Sequence, residues 1–144
     1  MPLFPAFLDL SHSTVLVVGE GPEADRKAEK MAPFCNYVRR CPYPPTWTER
    51  PALVLLTEKD HPDNEALADH LLALGIPVNV ADRPELCSFR FPSLIVRGDV
   101  SVGIATGGKA PALAGLLRAR LENALPEDLE TILDTAAELT ARLR

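Results

Sequence analysis

The 144-residue sequence has 20 acidic and 15 basic side chains, which give it a formal net charge of −5 at pH 7. This balance argues against a general nucleic-acid binder or a protein that lies on an anionic membrane, because both partners select a basic surface. Hydrophobic residues make up 47% of the chain. A chain of this length and composition can bury the core of one domain, with room for a small appendage.

The cysteines and the N-terminal segment indicate the cellular compartment of the protein. Cys35, Cys41 and Cys87 are odd in number and lack CxxC spacing, so we expect free thiols in a reducing compartment and no metal site. The apolar residues 1–8 have no basic start and meet Asp9 too early for a signal peptide, and no apolar run approaches bilayer length. We therefore expect a cytoplasmic protein with neither a membrane nor a nucleic-acid partner.

Strands and helices alternate along the first part of the chain. Strands are expected at residues 14–18, 35–40, 51–57 and 76–81, and residues 14–18 and 51–57 are continuous runs of apolar and β-branched residues, as in strands covered on both faces. Helices are predicted from about Pro22 to Met31, and from residues 60–64 to a stop at Gly75. This order predicts an α/β fold with a right-handed, mostly parallel sheet.

The pattern changes in the last third of the chain. Residues 94–96 and 100–105 are predicted to form a β-hairpin around the turn Arg97-Gly98-Asp99. Two helices follow, one from near Pro111 and an amphipathic one opened by residues 126–128. The apolar spacing of the final helix suits packing against either a partner subunit or its own domain.

A glycine motif lies where the first strand meets the first helix. Gly19, Gly21 and Ala24 follow the GxGxxA spacing that permits a tight turn, close approach of a pyrophosphate and close packing of helix on strand. An ordinary strand-to-helix turn is the alternative. Acidic side chains crowd this loop, and two basic ones offset them; the acidic residues are Glu20, Glu23 and Asp25, and the basic ones are Arg26 and Lys27.

The second strand ends without the acidic residue that would hold a ribose. Arg39 and Arg40 stand there instead, and they would either favour the additional phosphate of NADP or simply be solvated charges. Both interpretations stay open on the sequence.

Two further motifs carry polar chemistry. Asn79 and Asp82 lie at the carboxyl end of a strand expected to be central in the sheet, where α/β folds collect ligands, and a carboxylate there can accept a proton. A loop aspartate before Pro84 is the competing interpretation. An anion-binding turn is predicted just before a helix start, at Thr106, Gly107, Gly108 and Lys109. A plain turn, which needs the same glycines, is the alternative.

Taken in order, these motifs resemble the precorrin-2 dehydrogenases, including the N-terminal module of siroheme synthases. The similarity begins at residues 5–10 and continues through the glycine loop and helix start at residues 15–27 and the stretch at residues 57–64. The strongest match is nearly unbroken: it runs through residues 78–89 and 91–93, then the predicted hairpin, and continues through residues 106–114.

The resemblance implies an NAD-binding Rossmann-like domain and a set of site residues. Asp82 matches the family's essential aspartate and would be catalytic. The residues implied to bind the cofactor are Gly19, Gly21, Pro22, Glu23, Ala24, Tyr43, Pro44 and Thr57. Those implied to bind the substrate are Asn79, Thr106, Gly107, Gly108 and Lys109. Candidate partners for the substrate's carboxylates are Arg83, Arg90, Arg97, Lys109 and Arg118.

The implied reaction is removal of a hydride from the precorrin-2 macrocycle to NAD, with loss of a proton, to give sirohydrochlorin. Bifunctional members also insert iron. The resemblance further implies a homodimer formed through the hairpin and the helices after it. It divides the chain into an NAD-binding domain at residues 1–88 and a dimerisation segment at residues 89–144.

The sequence also departs from the family pattern. The connection between Val38 and Leu53 is short, Ala110 replaces a serine, and the chain ends at Arg144 before a further helical region that the family pattern leads us to expect. These departures leave a second hypothesis, a module that binds nucleotide or tetrapyrrole without turnover.

Overall fold

The computed structural model describes residues 3–143, so the first two residues of the N-terminal apolar segment and the terminal Arg144 lie outside the described part. The chain divides into two compact units. One comprises residues 6–90, and the other comprises residues 91–143 together with residues 3–5. Within the described residues, every helix is too short or too polar to cross a lipid bilayer.

The unit of residues 6–90 contains a four-stranded parallel sheet. Its strands are β1 (Leu10–Val18), β2 (Cys35–Cys41), β3 (Leu53–Leu56) and β4 (Val78–Val80), in the spatial order β2-β1-β3-β4. Helix α1 (Pro22–Met31) lies between β1 and β2 in the chain, and helix α2 (Asn64–Ala73) lies between β3 and β4. Short 3₁₀ turns occupy Ala32–Phe34 and Pro84–Leu86. The predicted parallel α/β sheet is therefore confirmed.

The core lies where the sheet meets α2. Val18, Val54 and Val78 are completely buried, as the continuous apolar runs predicted for strands covered on both faces. Leu71 and Ala68 pack on them from α2. The helix ends at the predicted place, because Gly75 takes a φ of 68° and the Ile76 N–H binds the Leu71 carbonyl oxygen at 2.9 Å.

Strand boundaries differ from the prediction, most of all at the start of β1; the boundaries of β2, β3 and β4 lie within two residues of those predicted. β1 begins at Leu10 rather than at residue 14, since Leu10 pairs with Cys35 ahead of an irregularity that ends at Thr14. The intervening residues 11–13 are polar and partly exposed, so their composition does not mark them as strand.

The second unit contains the predicted hairpin and two helices. The hairpin strands are β5 (Ser93–Arg97) and β6 (Val100–Ile104), and the helices are α3 (Pro111–Ala124) and α4 (Leu129–Arg142). The turn is shorter than predicted, because Arg97 pairs with Val100 and leaves only Gly98 and Asp99 in the loop. The predicted apolar faces of α3 and α4 are largely exposed in this chain, including Leu116, Leu121 and Leu133.

Candidate functional site

The glycine loop lies at the carboxyl end of β1. The Gly19 N–H donates to the Cys41 carbonyl oxygen at 2.9 Å, which joins the loop to the end of β2. Gly21 has a φ of 80° and a ψ of −169°, a conformation nearly restricted to glycine, and it precedes Pro22 at the first position of α1. Ala24 is completely buried, so its small side chain allows the helix to pack closely on the sheet.

The loop presents an open backbone to solvent. A Cβ atom on Gly21 would have no heavy atom within 4 Å, and within the described residues no side chain caps the N-terminus of α1. Amide groups and the positive end of the helix dipole are the groups that bind pyrophosphate in dinucleotide-binding folds. The loop geometry therefore fits a dinucleotide.

Charged side chains around the loop are partly paired with each other. The Arg26 guanidinium donates two hydrogen bonds to the Glu23 carboxylate, at 2.8 and 2.6 Å, and this contact lowers the pKa of Glu23. Arg40 pairs with Asp25. Both pairs are exposed at the surface, so each contributes little to the stability of the fold. Each pair also sets a positive charge beside a negative one, which reduces the net charge around the loop.

An unpredicted carboxylate also lies at this loop. Glu58, just after β3, accepts a hydrogen bond from the Glu20 N–H at 3.3 Å. This contact spans 38 residues of sequence, and its geometry depends on two loop conformations. Sequence patterns carry no signal for it.

Thr57 is buried beneath the loop. Its hydroxyl donates to the Val18 carbonyl oxygen at 2.9 Å, and its N–H binds the same oxygen at 3.0 Å. The side chain thus stabilises the end of β1. Its contact with a cofactor stays a prediction.

Tyr43 and Pro44 follow β2 and are joined by a cis peptide bond. The Tyr43 ring stacks on His61, with centroids 3.7 Å apart and planes 13° from parallel. Its hydroxyl donates to Asn64 Oδ1 at 2.7 Å, while the Asn64 amide donates to the Glu58 carbonyl oxygen at 2.7 Å. Burial raises the pKa of Tyr43, and the Glu58 carboxylate raises it further.

Asp82 lies two residues beyond the end of β4 and is exposed. β4 is an edge strand of the described sheet, so the expectation of a central strand before Asp82 is wrong. Its φ of 55° places it in the left-handed region. Because the carboxyl ends of parallel strands share one edge of the sheet, Asp82 lies at the same edge as the Gly19 loop. The glycine loop, Thr57 and Asp82 thus lie at one edge of the sheet in this unit.

Asn79 differs from Asp82 in that its side chain is engaged inside the protein. Its Oδ1 accepts from the Lys27 ammonium group at 3.3 Å, and its Nδ2 donates to the Phe89 carbonyl oxygen at 3.1 Å. Asn79 and Lys27 are both 8% exposed. These contacts are those of a buried structural amide, and a role for Asn79 in binding substrate stays a prediction.

The remaining predicted substrate residues belong to the other unit. Thr106 is half-buried, whereas Gly107, Gly108 and Lys109 are exposed. The Lys109 N–H binds the Thr106 carbonyl oxygen at 3.2 Å, and both glycines have positive φ angles, of 65° and 81°. The four residues thus form the predicted turn before α3, and anion binding by it stays a prediction.

The candidate partners for substrate carboxylates divide into two groups. Arg83 pairs with Glu85, Arg118 pairs with Glu122, and Arg97 donates to two backbone carbonyl oxygens at 3.0 and 3.1 Å. Arg90 and Lys109 are exposed at the surface. The second group is therefore the better placed for an external anion.

A cavity of about 300 Å³ lies at the opposite edge of the sheet from the glycine loop. It is formed at the amino ends of β1 and β3 and is separate from the residues predicted to bind ligands. The residues that line it are His12, Ser13, Thr14, Glu49, Arg50, Pro51, Ala52 and Gly75.

Comparisons with known proteins agree with this architecture. Residues 34–93 match a family model described as putative NAD(P)-binding, and residues 97–124 match one described as the sirohaem biosynthesis protein central region. The chain resembles the solved structure of SirC, precorrin-2 dehydrogenase, with a TM-score of 0.66 and 19% sequence identity. That likeness covers 94% of this chain and 78% of the other, and it confirms the fold.

Sequence relatives span the two units. The siroheme synthase of Psychrobacter arcticus is 34% identical over 160 residues, covering 96% of this chain and 29% of the relative. The siroheme synthase of Thiobacillus denitrificans is 34% identical over 166 residues, covering 100% of this chain and 35% of the relative. The chain thus spans about a third of the length of the curated relatives it matches. With both family models and these relatives in agreement, the chain is similar to about a third of the length of the siroheme synthases, and its fold is that of SirC, precorrin-2 dehydrogenase.

Proposed function

We propose that this protein oxidises precorrin-2 to sirohydrochlorin with NAD as the acceptor. The observation that carries the proposal is the position of Asp82, a carboxylate at the sheet edge where the open glycine loop begins α1. In the balanced reaction, precorrin-2 loses a hydride and a proton, and the products are sirohydrochlorin, NADH and H⁺. The similarity to siroheme synthases supports the choice of substrate, and the fold supports the nicotinamide cofactor.

The cofactor site proposed here is the Gly19–Gly21 loop with the first turn of α1. Its amides would bind the pyrophosphate. Because Glu23 and Arg26 are paired, these two side chains together would add little net charge beside the pyrophosphate. Bound NAD supplies the hydride acceptor. Tyr43, stacked on His61, would flank the adenosine half.

Asp82 is proposed to act on the substrate's proton. Its exposed carboxylate follows an edge strand and can accept the proton released as the macrocycle is oxidised, or hold a ring nitrogen in place. The chain's main contribution would then be orientation of the reacting carbon toward the nicotinamide.

NAD is proposed over NADP for a reason of charge. Arg40 at the end of β2 already pairs with Asp25 on α1, which lowers its value as a partner for an additional phosphate. Stronger protection against thermal unfolding by NADP than by NAD would contradict this choice.

The other unit is proposed to bind substrate and to form a homodimer in the cytoplasm. The exposed turn of Gly107, Gly108 and Lys109 offers amides and one positive charge to a carboxylated macrocycle. Exposed leucines on α3 and the largely exposed apolar side of α4 support an interface between two copies. Light scattering at micromolar concentration tests the dimer, and a monomer would refute it.

A binding module without turnover is the second candidate. The observation that favours it is Glu58, whose carboxylate occupies a loop amide and adds negative charge where phosphates would bind. Iron insertion into sirohydrochlorin is a further activity to assay with the same preparation.

The deciding experiment is anaerobic incubation of enzymatically generated precorrin-2 with NAD, followed by the absorbance of NADH and sirohydrochlorin. We expect turnover in the parent protein and a large loss in Asp82→Ala. Binding of NAD or tetrapyrrole without turnover in the parent would support the binding module instead, and unchanged turnover in Asp82→Ala would remove Asp82 from the reaction.

A further inference from the structure

The turn that carries Asp82 has an unusual backbone. Among residues 3–143, Asp82 is the one residue other than glycine with a φ in the left-handed region. Such a conformation is disfavoured for a residue with a Cβ atom and persists where the surroundings hold it. The Ala81 N–H binds the Leu56 carbonyl oxygen at 2.9 Å, and the Arg83 N–H binds the Val80 carbonyl oxygen at 3.3 Å.

A cysteine side chain adds contacts to both ends of this turn. In the described sheet β4 is an edge strand, and the Val80 N–H on its outer side binds Cys87 Sγ at 3.1 Å. The same sulfur lies 3.4 Å from the Val80 carbonyl oxygen and 3.3 Å from the Arg83 carbonyl oxygen. Its single proton can be donated to either oxygen, so one thiol connects the residues on both sides of Asp82.

The thiol is itself fixed by a buried polar group. Asn79 Nδ2 lies 3.5 Å from Cys87 Sγ and also donates to the Phe89 carbonyl oxygen. Asn79 Oδ1 accepts from the ammonium group of Lys27, which belongs to the helix that begins at the glycine loop. A chain of contacts therefore runs from α1 through Asn79 to the thiol beside the Asp82 turn.

We propose that Cys87 is a positioning residue for Asp82: its thiol holds the turn of residues 80–83 in the conformation that directs the carboxylate to the site. The inference rests on the proposed role of Asp82 in the reaction. Lys27 and Asn79 fix the sulfur, so orientation of Asp82 is coupled to the helix that would bind the cofactor.

Two substitutions of Cys87 separate positioning from packing. Serine keeps a group that both donates and accepts, whereas alanine removes it. In Cys87→Ala we expect kcat to fall at least about tenfold while the KM for NAD stays within about twofold, since misplacing a reacting group affects the chemical step. In Cys87→Ser we expect kcat within about threefold of the parent. Cys35→Ala is the matched control, because that thiol also binds a carbonyl oxygen but lies at the start of β2.

A second measurement does not depend on turnover. The backbone coupling constant and chemical shifts of Asp82, measured by NMR in the full chain, report its φ directly. We expect the left-handed signature in the parent and in Cys87→Ser, and its loss or averaging in Cys87→Ala.

The two measurements distinguish failure of this inference from failure of the proposed function. If the parent turns over precorrin-2 and Cys87→Ala keeps both kcat and the Asp82 signature, the positioning role is overturned. Equal losses of kcat in the alanine and serine variants, with an unchanged signature, overturn it as well. If the parent has no activity, the proposed function has failed, and the signature alone decides whether Cys87 holds the turn.

Discussion

The hydroxyl oxygen of Thr57 lies 2.3 Å from the position that a Cβ atom would take on Gly19. The hydroxyl is held there by its hydrogen bond to the end of β1, so it cannot retreat without losing that bond. Glycine at this position is therefore required by the protein's own packing, before any ligand is considered.

Gly19→Ala tests this requirement. Gly19 has a φ of 115°, so the substitution combines backbone strain with a clash, and we expect a loss of about 2–4 kcal/mol in the free energy of unfolding. Urea unfolding followed by circular dichroism measures it. A loss below about 1 kcal/mol would show that the loop relaxes around the methyl group.

Gly21→Ala is the matched control for the clash. A Cβ there has open space, so only backbone strain remains. Adding Thr57→Ala should recover part of the loss in Gly19→Ala and none of the loss in Gly21→Ala. Equal recovery in both backgrounds would show that Thr57 does not cause the clash.

The conformation of Asp82 predicts that two variants of this residue differ in stability although both lose activity. Glycine adopts a φ of 55° more readily than alanine does, so we expect Asp82→Gly to be about 1 kcal/mol more stable toward unfolding than Asp82→Ala. Both variants lack the carboxylate and should lose at least about 100-fold in turnover. Urea unfolding and the anaerobic assay measure the two effects, and retained turnover in either variant would contradict the role of the carboxylate.

Much of this architecture is predictable because the signals are local. A few residues of sequence are enough to recognise the buried runs that form β1 and β3. The same holds for the glycines at positions 19, 21 and 75. Parallel pairing then places Gly19 and Asp82 at one edge without further information. The proposed catalytic role of Asp82 came from the family resemblance.

The side-chain contacts within the site are not predictable in the same way. Glu58 at the Glu20 amide and the Tyr43–His61 stack depend on how separate loops fold back over the strand ends. Cys87 illustrates the limit most clearly. Its sequence context suggests an ordinary free thiol, and its role at the Val80–Arg83 turn follows from β4 being an edge strand.

The buried hydroxyl of Tyr43 predicts a pH-dependent stability. Burial raises its pKa above the ordinary value of 10.0, so the unfolded chain loses this proton at a lower pH than the folded protein does. The contribution to stability is complete below pH 10 and is lost as the pH rises further, by up to about 1.4 kcal/mol per pH unit. Urea unfolding between pH 8 and pH 11 measures this decline.

Tyr43→Phe isolates the contribution of that group. The variant loses the hydrogen bond to Asn64, which should cost about 1 kcal/mol at pH 8. Its stability should decline less steeply than that of the parent above pH 10, so the difference between the two proteins narrows. Effects of the thiols of Cys35 and Cys41, whose pKa values are also raised by burial, are common to both. Parallel pH profiles would refute the assignment to Tyr43.

Glu58→Gln tests whether the loop carboxylate opposes the cofactor. Glutamine keeps an oxygen that can accept the Glu20 N–H but removes the charge. Removing one negative charge near the proposed phosphate site should strengthen NAD binding by about 1 kcal/mol, roughly fivefold in Kd, with the largest gain at low salt. Calorimetric titration measures the affinity. Asp69→Asn, the same charge change on the exposed side of α2, should leave it unchanged. Unchanged or weaker binding in Glu58→Gln would mean that the carboxylate stabilises the loop for the cofactor rather than competing with its phosphates.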